Sequence, residues 1–415
     1  MFSTGLYVAI RLLQHFIEAL LSTFNRRHYL DSAKQAHVKK VLNIPDDDFL
    51  KTLSYTEDRG KYSKWAGNIQ LSIFLVFLWL GGFGYVETLA KGFGAALELG
   101  PVFVGLIFFG ILGFLSSISS LPFEYYSIFV IEQKHGFNKQ TPAIFIKDKL
   151  KGILLAVVIG GFLLGGLLWV MERLGNNWWL WAWMFISGFS ILMAWIYPTF
   201  ISPLFNKFTP LDDGELKEGV FELAKKVDFK TSGIYLMDAS IRSSHGNAYF
   251  TGVFGKKRIV LFDTLVNKMS PSQVVAVLAH ELGHFKLHHV RWMLIRGLCF
   301  TGVFLYILSL LLDNASMYES FGFSGVSNYA ALVVFPSWFS LVEFFINPIS
   351  SYLSRRNEFA ADNFAKQYSN ADDLIGALLN LRQSNHSMPI THPVYSSFYY
   401  SHPPLVERID ALKHS

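Results

Sequence analysis

The sequence predicts a polytopic α-helical membrane protein carrying a small α+β domain, and three observations support that class. The first is composition. Of 415 residues, 52% are hydrophobic, 16% are aromatic and only 16% are charged. An average soluble domain carries roughly 25% charged residues. Mean hydropathy is +0.33. These values exclude a disordered or fibrous chain and disfavour an ordinary soluble globule. The second observation is a series of apolar runs of spanning length, and the third is how Lys and Arg fall between them. The net charge of +5 belongs to that loop pattern and carries no nucleic-acid motif. A single cysteine, Cys299, allows no intramolecular disulfide.

A bilayer core of about 30 Å needs about 20 apolar residues. Six runs pass clearly: 69–86, 101–121, 153–171, 178–197, 292–312 and 329–346. A seventh, 6–24, carries Arg11, Gln14, His15 and Glu18. Arg11, His15 and Glu18 recur at i, i+4 and i+7, which puts them on one helix face. That stripe fits either an interfacial amphipathic helix or a span whose polar face meets protein or water. The segment lacks the short core and small-residue site of a cleaved signal peptide. The loops test the count independently. Segment 25–65 holds nine Lys/Arg, 87–100 one, 122–151 five, 172–177 one, 199–290 eleven, 314–328 none and the tail after Ser351 six. Rich and poor loops alternate, so the chain is expected to cross seven times, with the N-terminus outside and 199–290 and the tail in the cytoplasm.

Two stretches are not membrane-like. Segment 199–290 predicts a helix over 215–227 and strands over 233–237, 247–252 and 258–262, where Val, Ile, Phe and Tyr alternate. Gly255-Lys256-Lys257 reads as a hairpin turn, and Ser270-Pro271-Ser272 opens a further helix. The tail predicts helices over 351–367 and 371–381. The expected organisation is 1–198 with five spans, 199–290 as a cytoplasmic segment, 291–350 with two spans, and 351–415 completing the site.

The helix after Pro271 contains His280-Glu281-Leu282-Gly283-His284. Histidines four apart leave one helix face and can bind one Zn²⁺, while Glu281 can reach the metal's open position as a general base. A lone HExxH also arises by chance, but the apolar run before it and the small Gly283, expected to leave space beside the metal, favour the zinc reading. A third ligand is needed. His288 and His289 sit on the wrong phase of a continuous helix, so they read as solvent- or headgroup-facing. Glu358 and Asp362, one turn apart in NEFAAD (357–362), supply the alternative: Glu358 as ligand, Asp362 orienting a ligand histidine. The Phe-Ala-Ala between them argues for a packed helix, where unpaired carboxylates would be costly.

Taken together, these motifs resemble the type 1 CAAX prenyl protease family of seven-span membrane zinc endopeptidases. The likeness rests on FEYY (123–126), EQKHGFNKQT (132–141), ISPLFNKF (201–208), SHGNAYFTG (244–252), the HExxH, NEFAAD and HPPLVERI (402–409), in this order between the spans. It implies a gluzincin-like zinc protease domain with one zinc per chain, held by His280, His284 and Glu358. It also implies that His402 stabilises an oxyanion and Arg408 helps hold substrate, both facing the active site. Asn247 would lie in a strand where an extended peptide can pair. His135 also matches and reads as structural.

The implied activity is hydrolysis of hydrophobic or prenylated peptides at the bilayer's cytoplasmic face, with the spans enclosing a water-filled chamber. Two other readings stand beside it: a quality-control metalloprotease for membrane proteins, and a non-proteolytic zinc-binding transporter or scaffold. Intact Glu281 argues against the latter. The compact chain, with no obvious retrieval signal at 411–415, favours a bacterial inner membrane over the endoplasmic reticulum. The natural substrate and oligomeric state are not encoded in any motif.

Overall fold

Proline and glycine set most of the helix boundaries in this computed structural model, which describes residues 2–251 and 257–414. Helix α1 (Thr4–Leu30) starts at Ser3, whose hydroxyl accepts from the Leu6 amide at 3.2 Å. Its 27 residues are long enough to cross a membrane. The expected polar stripe is present: Glu18 lies 3.8 Å from Arg11 and 3.7 Å from His15. His15 bonds Asn68 of the neighbouring helix at 2.8 Å, so the stripe meets protein.

The run 69–86 was expected to be one straight span, and it is not. It divides into α2 (Asp46–Trp79) and α3 (Gly82–Ala96), bent by 63°. Gly81 takes φ 69°, a left-handed conformation that costs a side-chain-bearing residue roughly 1–2 kcal/mol. A Cβ on Gly82 would sit 2.4 Å from the Phe77 ring. The glycine pair therefore makes the fold-back possible.

Helices α4 (Pro101–Glu132), α5 (Pro142–Arg173) and α6 (Gly175–Phe205) are each long and apolar enough to span. Pro101 and Pro142 occupy first-turn positions, where no amide hydrogen bond is lost. The soluble domain follows, with α7 (Glu215–Lys226) and strands β1 (Phe208–Pro210), β2 (Thr231–Met237), β3 (Ala248–Thr251) and β4 (Lys257–Phe262). The sheet order is β1-β2-β4-β3, with β2 and β4 parallel and the other pairs antiparallel. Three strands fall where alternation predicts them; β1 is short and ends in a proline, so it leaves no such pattern. Gly255 and Lys256 of the expected turn lie outside the described residues.

Helix α8 (Pro271–Lys286) leads into α9 (His289–Leu311), a further spanning helix. The expected span 329–346 and tail helix 351–367 are one 41-residue helix, α10 (Asn328–Tyr368). It runs through Pro336 and Pro348 without breaking. Near Pro348 the tail straps it: Asn347 Nδ2 donates to the Phe398 carbonyl at 2.7 Å. Helices α11 (Ala371–Ser384) and α12 (Leu405–His414) complete the chain. Among the described residues, five helices and the bent pair are long and apolar enough to span, and α1 stands before them in the place of the first expected crossing. The soluble core draws on both segments: Leu223, Ile259, Leu261 and Leu278 pack with Ala365, Leu374 and Leu412.

Candidate metal centre and active site

Helix α8 is anchored by a capping box. Ser270 Oγ accepts from the Gln273 amide, Gln273 reaches back to the Ser270 amide, and Pro271 fills the first turn. Val274, Leu278 and Leu282 are buried against the sheet and α7, which turns His280 and His284 toward α10. The two helices approach closely at Gly283, where a Cβ would lie 3.1 Å from Ala361 Cα and 3.2 Å from the Ala361 carbonyl. Gly283 was expected to leave room beside the metal; its place in the fold is to admit the helix that carries Glu358.

The consequence is a three-donor cluster. His280 Nε2 and His284 Nε2 are 3.2 Å apart. Glu358 places Oε2 3.4 Å from His280 Nε2 and Oε1 3.2 Å from His284 Nε2. The three donor atoms lie within 4.8 Å of one another. Glu358 Oε2 is buried without a hydrogen-bond partner. A buried carboxylate set against two imidazoles is costly unless a positive charge, on a metal ion or a ring, meets it. Two imidazole nitrogens and one carboxylate fit a catalytic zinc with three protein ligands and one open position.

Asp362 and Arg408 stand behind the cluster. Asp362 Oδ1 is 2.8 Å from His280 Nδ1, as the one-turn spacing predicts. Arg408 donates to Asp362 through Nε at 2.8 Å and Nη2 at 2.6 Å, a bidentate charge-assisted pair. Arg408, expected to help hold substrate, is buried in this fork on Asp362, with Nη1 3.8 Å from Glu358. Burial lowers the pKa of His280, but hydrogen bonds to Asp362 and Glu358 outweigh it and push the imidazole up to about 9. Burial raises Glu281 above the ordinary carboxylate range, with His280 and His284 pulling the other way.

In front of the cluster is a cavity of about 810 Å³. His280, Glu281, Arg408, His402 and Asn247 all line it. His402 is largely exposed there, with Nε2 3.4 Å from Glu358 Oε1. Asn247 precedes β3, the edge strand of the sheet, and its Oδ1 accepts from the Ala248 amide at 2.8 Å. His135, read as structural, is held by Asp58 at 2.8 Å and is not part of the three-donor cluster.

Sequence spacing missed one neighbour. His288 is exposed as expected, but His289 Nδ1 lies 3.1 Å from His284 Nδ1. The phase argument assumed a continuous helix. The helix ends at Lys286, His288 adopts φ 61°, and a new helix begins at His289.

Likeness to known proteins gives the family. Residues 27–207 match the family description "CAAX prenyl protease N-terminal, five membrane helices", and residues 210–415 match "Peptidase family M48". The CAAX prenyl protease 1 homolog of Mus musculus is 33% identical, over 96% of this chain and 92% of its own. The chain belongs to the CAAX prenyl protease 1 family. Its family member from Saccharomyces cerevisiae, CAAX prenyl protease 1, is 37% identical over 89% of this chain and 86% of its own. The homolog from Oryza sativa subsp. japonica is 42% identical over 72% and 70%. The crystal structure of S. mikatae Ste24p superposes with a TM-score of 0.91 at 33% identity, covering 99% of both chains. As a member of this M48 family the chain is a multi-pass membrane zinc metalloprotease.

Proposed function

We propose that the chain hydrolyses peptide bonds of prenylated CAAX-type or similarly hydrophobic substrates, using one zinc held by His280, His284 and Glu358. The observation carrying this reading is the buried Glu358 carboxylate set against the Nε2 atoms of two imidazoles, beside a chamber that Glu281 also lines. The names of the relatives support the substrate class. The ion, when bound, supplies a Lewis acid that polarises a carbonyl and acidifies water. Glu281 takes the proton of the attacking water and delivers it to the departing amine. His402 Nε2 donates to the oxyanion that develops as the carbonyl is attacked. Asn247 and the free edge of β3 receive the extended peptide by strand addition. Asp362, clamped by Arg408, holds His280 in its ligating orientation.

This division of labour keeps 1–198 and 291–350 as membrane frame and 199–290 with 351–415 as the catalytic unit. The Lys/Arg alternation supports a cytoplasmic catalytic unit. With Cys299→Ser as background, Lys230→Cys and Asp313→Cys should react with an impermeant thiol reagent from opposite sides; same-side labelling would overturn the orientation. The chain and S. mikatae Ste24p cover 99% of each other, so compactness carries no weight toward a bacterial host. The endoplasmic-reticulum alternative fits the relatives from plant, mammal and yeast better.

The test compares wild type with Glu281→Ala, both purified in detergent. The variant should keep about one zinc per chain and lose cleavage of a farnesylated CAAX peptide. Zinc-loaded wild type that cuts neither this peptide nor unprenylated hydrophobic ones would move the transporter or scaffold reading to the front.

A further inference from the structure

Each of the two histidines of the cluster uses Nε2 toward the other donors, so each must carry its ring proton on Nδ1 to ligate as a neutral imidazole. That proton needs an acceptor. For His280 the acceptor is Asp362, a carboxylate itself fixed by two hydrogen bonds from Arg408. For His284 the atom facing Nδ1 is Nδ1 of His289, at 3.1 Å.

We propose that His289 is the positioning residue for His284: its Nδ1 accepts the His284 Nδ1–H and holds His284 Nε2 open for the metal. The proton balance is closed, since His289 then keeps its own proton on Nε2. The two ligand histidines are thus held by chemically different partners, one by a clamped carboxylate and the other by a neutral ring. The backbone makes this contact possible. On an unbroken helix, the fifth residue along lies roughly 140° away around the axis. The left-handed His288 ends α8 by accepting no further turn of it; the Leu287 amide closes onto Gly283 and the His288 amide onto Phe285. His289 begins α9 and swings back toward His284, its ring 5.2 Å from the His284 ring and tilted by 68°.

The inference rests on His284 being a metal ligand. Zinc affinity is measured by chelator competition on the full-length protein in detergent, alongside the visible spectrum of the Co²⁺-substituted protein. His289→Phe keeps a ring but offers no acceptor, and His289→Asn returns an acceptor oxygen near the Nδ1 position. His289→Phe should weaken zinc binding by about 10–100-fold and shift the cobalt bands. His289→Asn should restore both. If His289→Phe binds zinc like wild type, or if Phe and Asn weaken it equally, the proposal is overturned. His284→Ala is the separate control: unchanged zinc content there would remove the ligand reading itself, whatever the His289 variants do.

Discussion

At the scale of single residues, the site is a set of protons and charges that a bound cation would rearrange. Burial alone would lower the pKa of His280, but the Asp362 and Glu358 carboxylates beside it push it up to about 9. A ligand imidazole must be neutral, so a metal displaces that proton. Zinc affinity should therefore rise about tenfold per pH unit between pH 7 and 9 and level off above. Chelator competition across that range checks it, and a flat profile would mean that His280 carries no proton to displace. Much of this was legible in the sequence. His280, Glu281 and His284 follow from helical periodicity, and Glu358 with Asp362 from a one-turn spacing in a small-residue run. The grip of Arg408 on Asp362 was not, because it joins positions 46 apart in the chain through tertiary packing. Nor was His289, whose contact depends on a positive φ at a residue that is not glycine.

At the scale of elements, two glycine positions decide how helices meet. Gly283 lets α8 lie against the backbone of α10, and the atoms a Cβ would strike are Ala361 Cα and its carbonyl, which cannot rotate away. Gly283→Ala should destabilise the protein by about 1–3 kcal/mol and widen the gap between Glu358 and the imidazoles. The check is a lower thermal midpoint together with lost zinc retention; an unchanged midpoint with full zinc would show that the helices can separate freely. The other position, Gly81, bends a run that hydropathy alone reads as straight. Apolar length reports that a segment is lipid-compatible and says nothing of φ. For the same reason the long α10 was read as two helices: the polar residues after 350 change its surroundings, not its backbone. Strands β2, β3 and β4 were legible from their β-branched and aromatic residues between Gly and Lys, although β4 buries Ile259, Val260 and Leu261 in succession and not alternately.

At the scale of the whole molecule, the site is assembled from stretches far apart in sequence: α8 before one span, α10 leaving another, and the tail after it. The positive-rich and positive-poor loops gave the order of crossings, but nothing in them says that one helix both spans and carries Glu358 into the three-donor cluster. Glu358 stands 12 residues beyond the end of the predicted span at Ile346, on the same unbroken helix. That length, about 18 Å at the helical rise, makes the end of α10 a lever with its fulcrum in the lipid. A tilt change of about 10° would carry its tip by roughly 3 Å, far more than a metal–oxygen bond tolerates, unless the strap at Phe398 absorbs the motion. Reconstituted into phosphatidylcholine bilayers of increasing acyl length, the enzyme should turn over fastest at one thickness and fall away on either side. A rate indifferent to thickness would place a hinge at Pro348. If the dependence is found, the bilayer is a mechanical part of the catalyst, and the composition of the membrane sets how far apart its ligands stand.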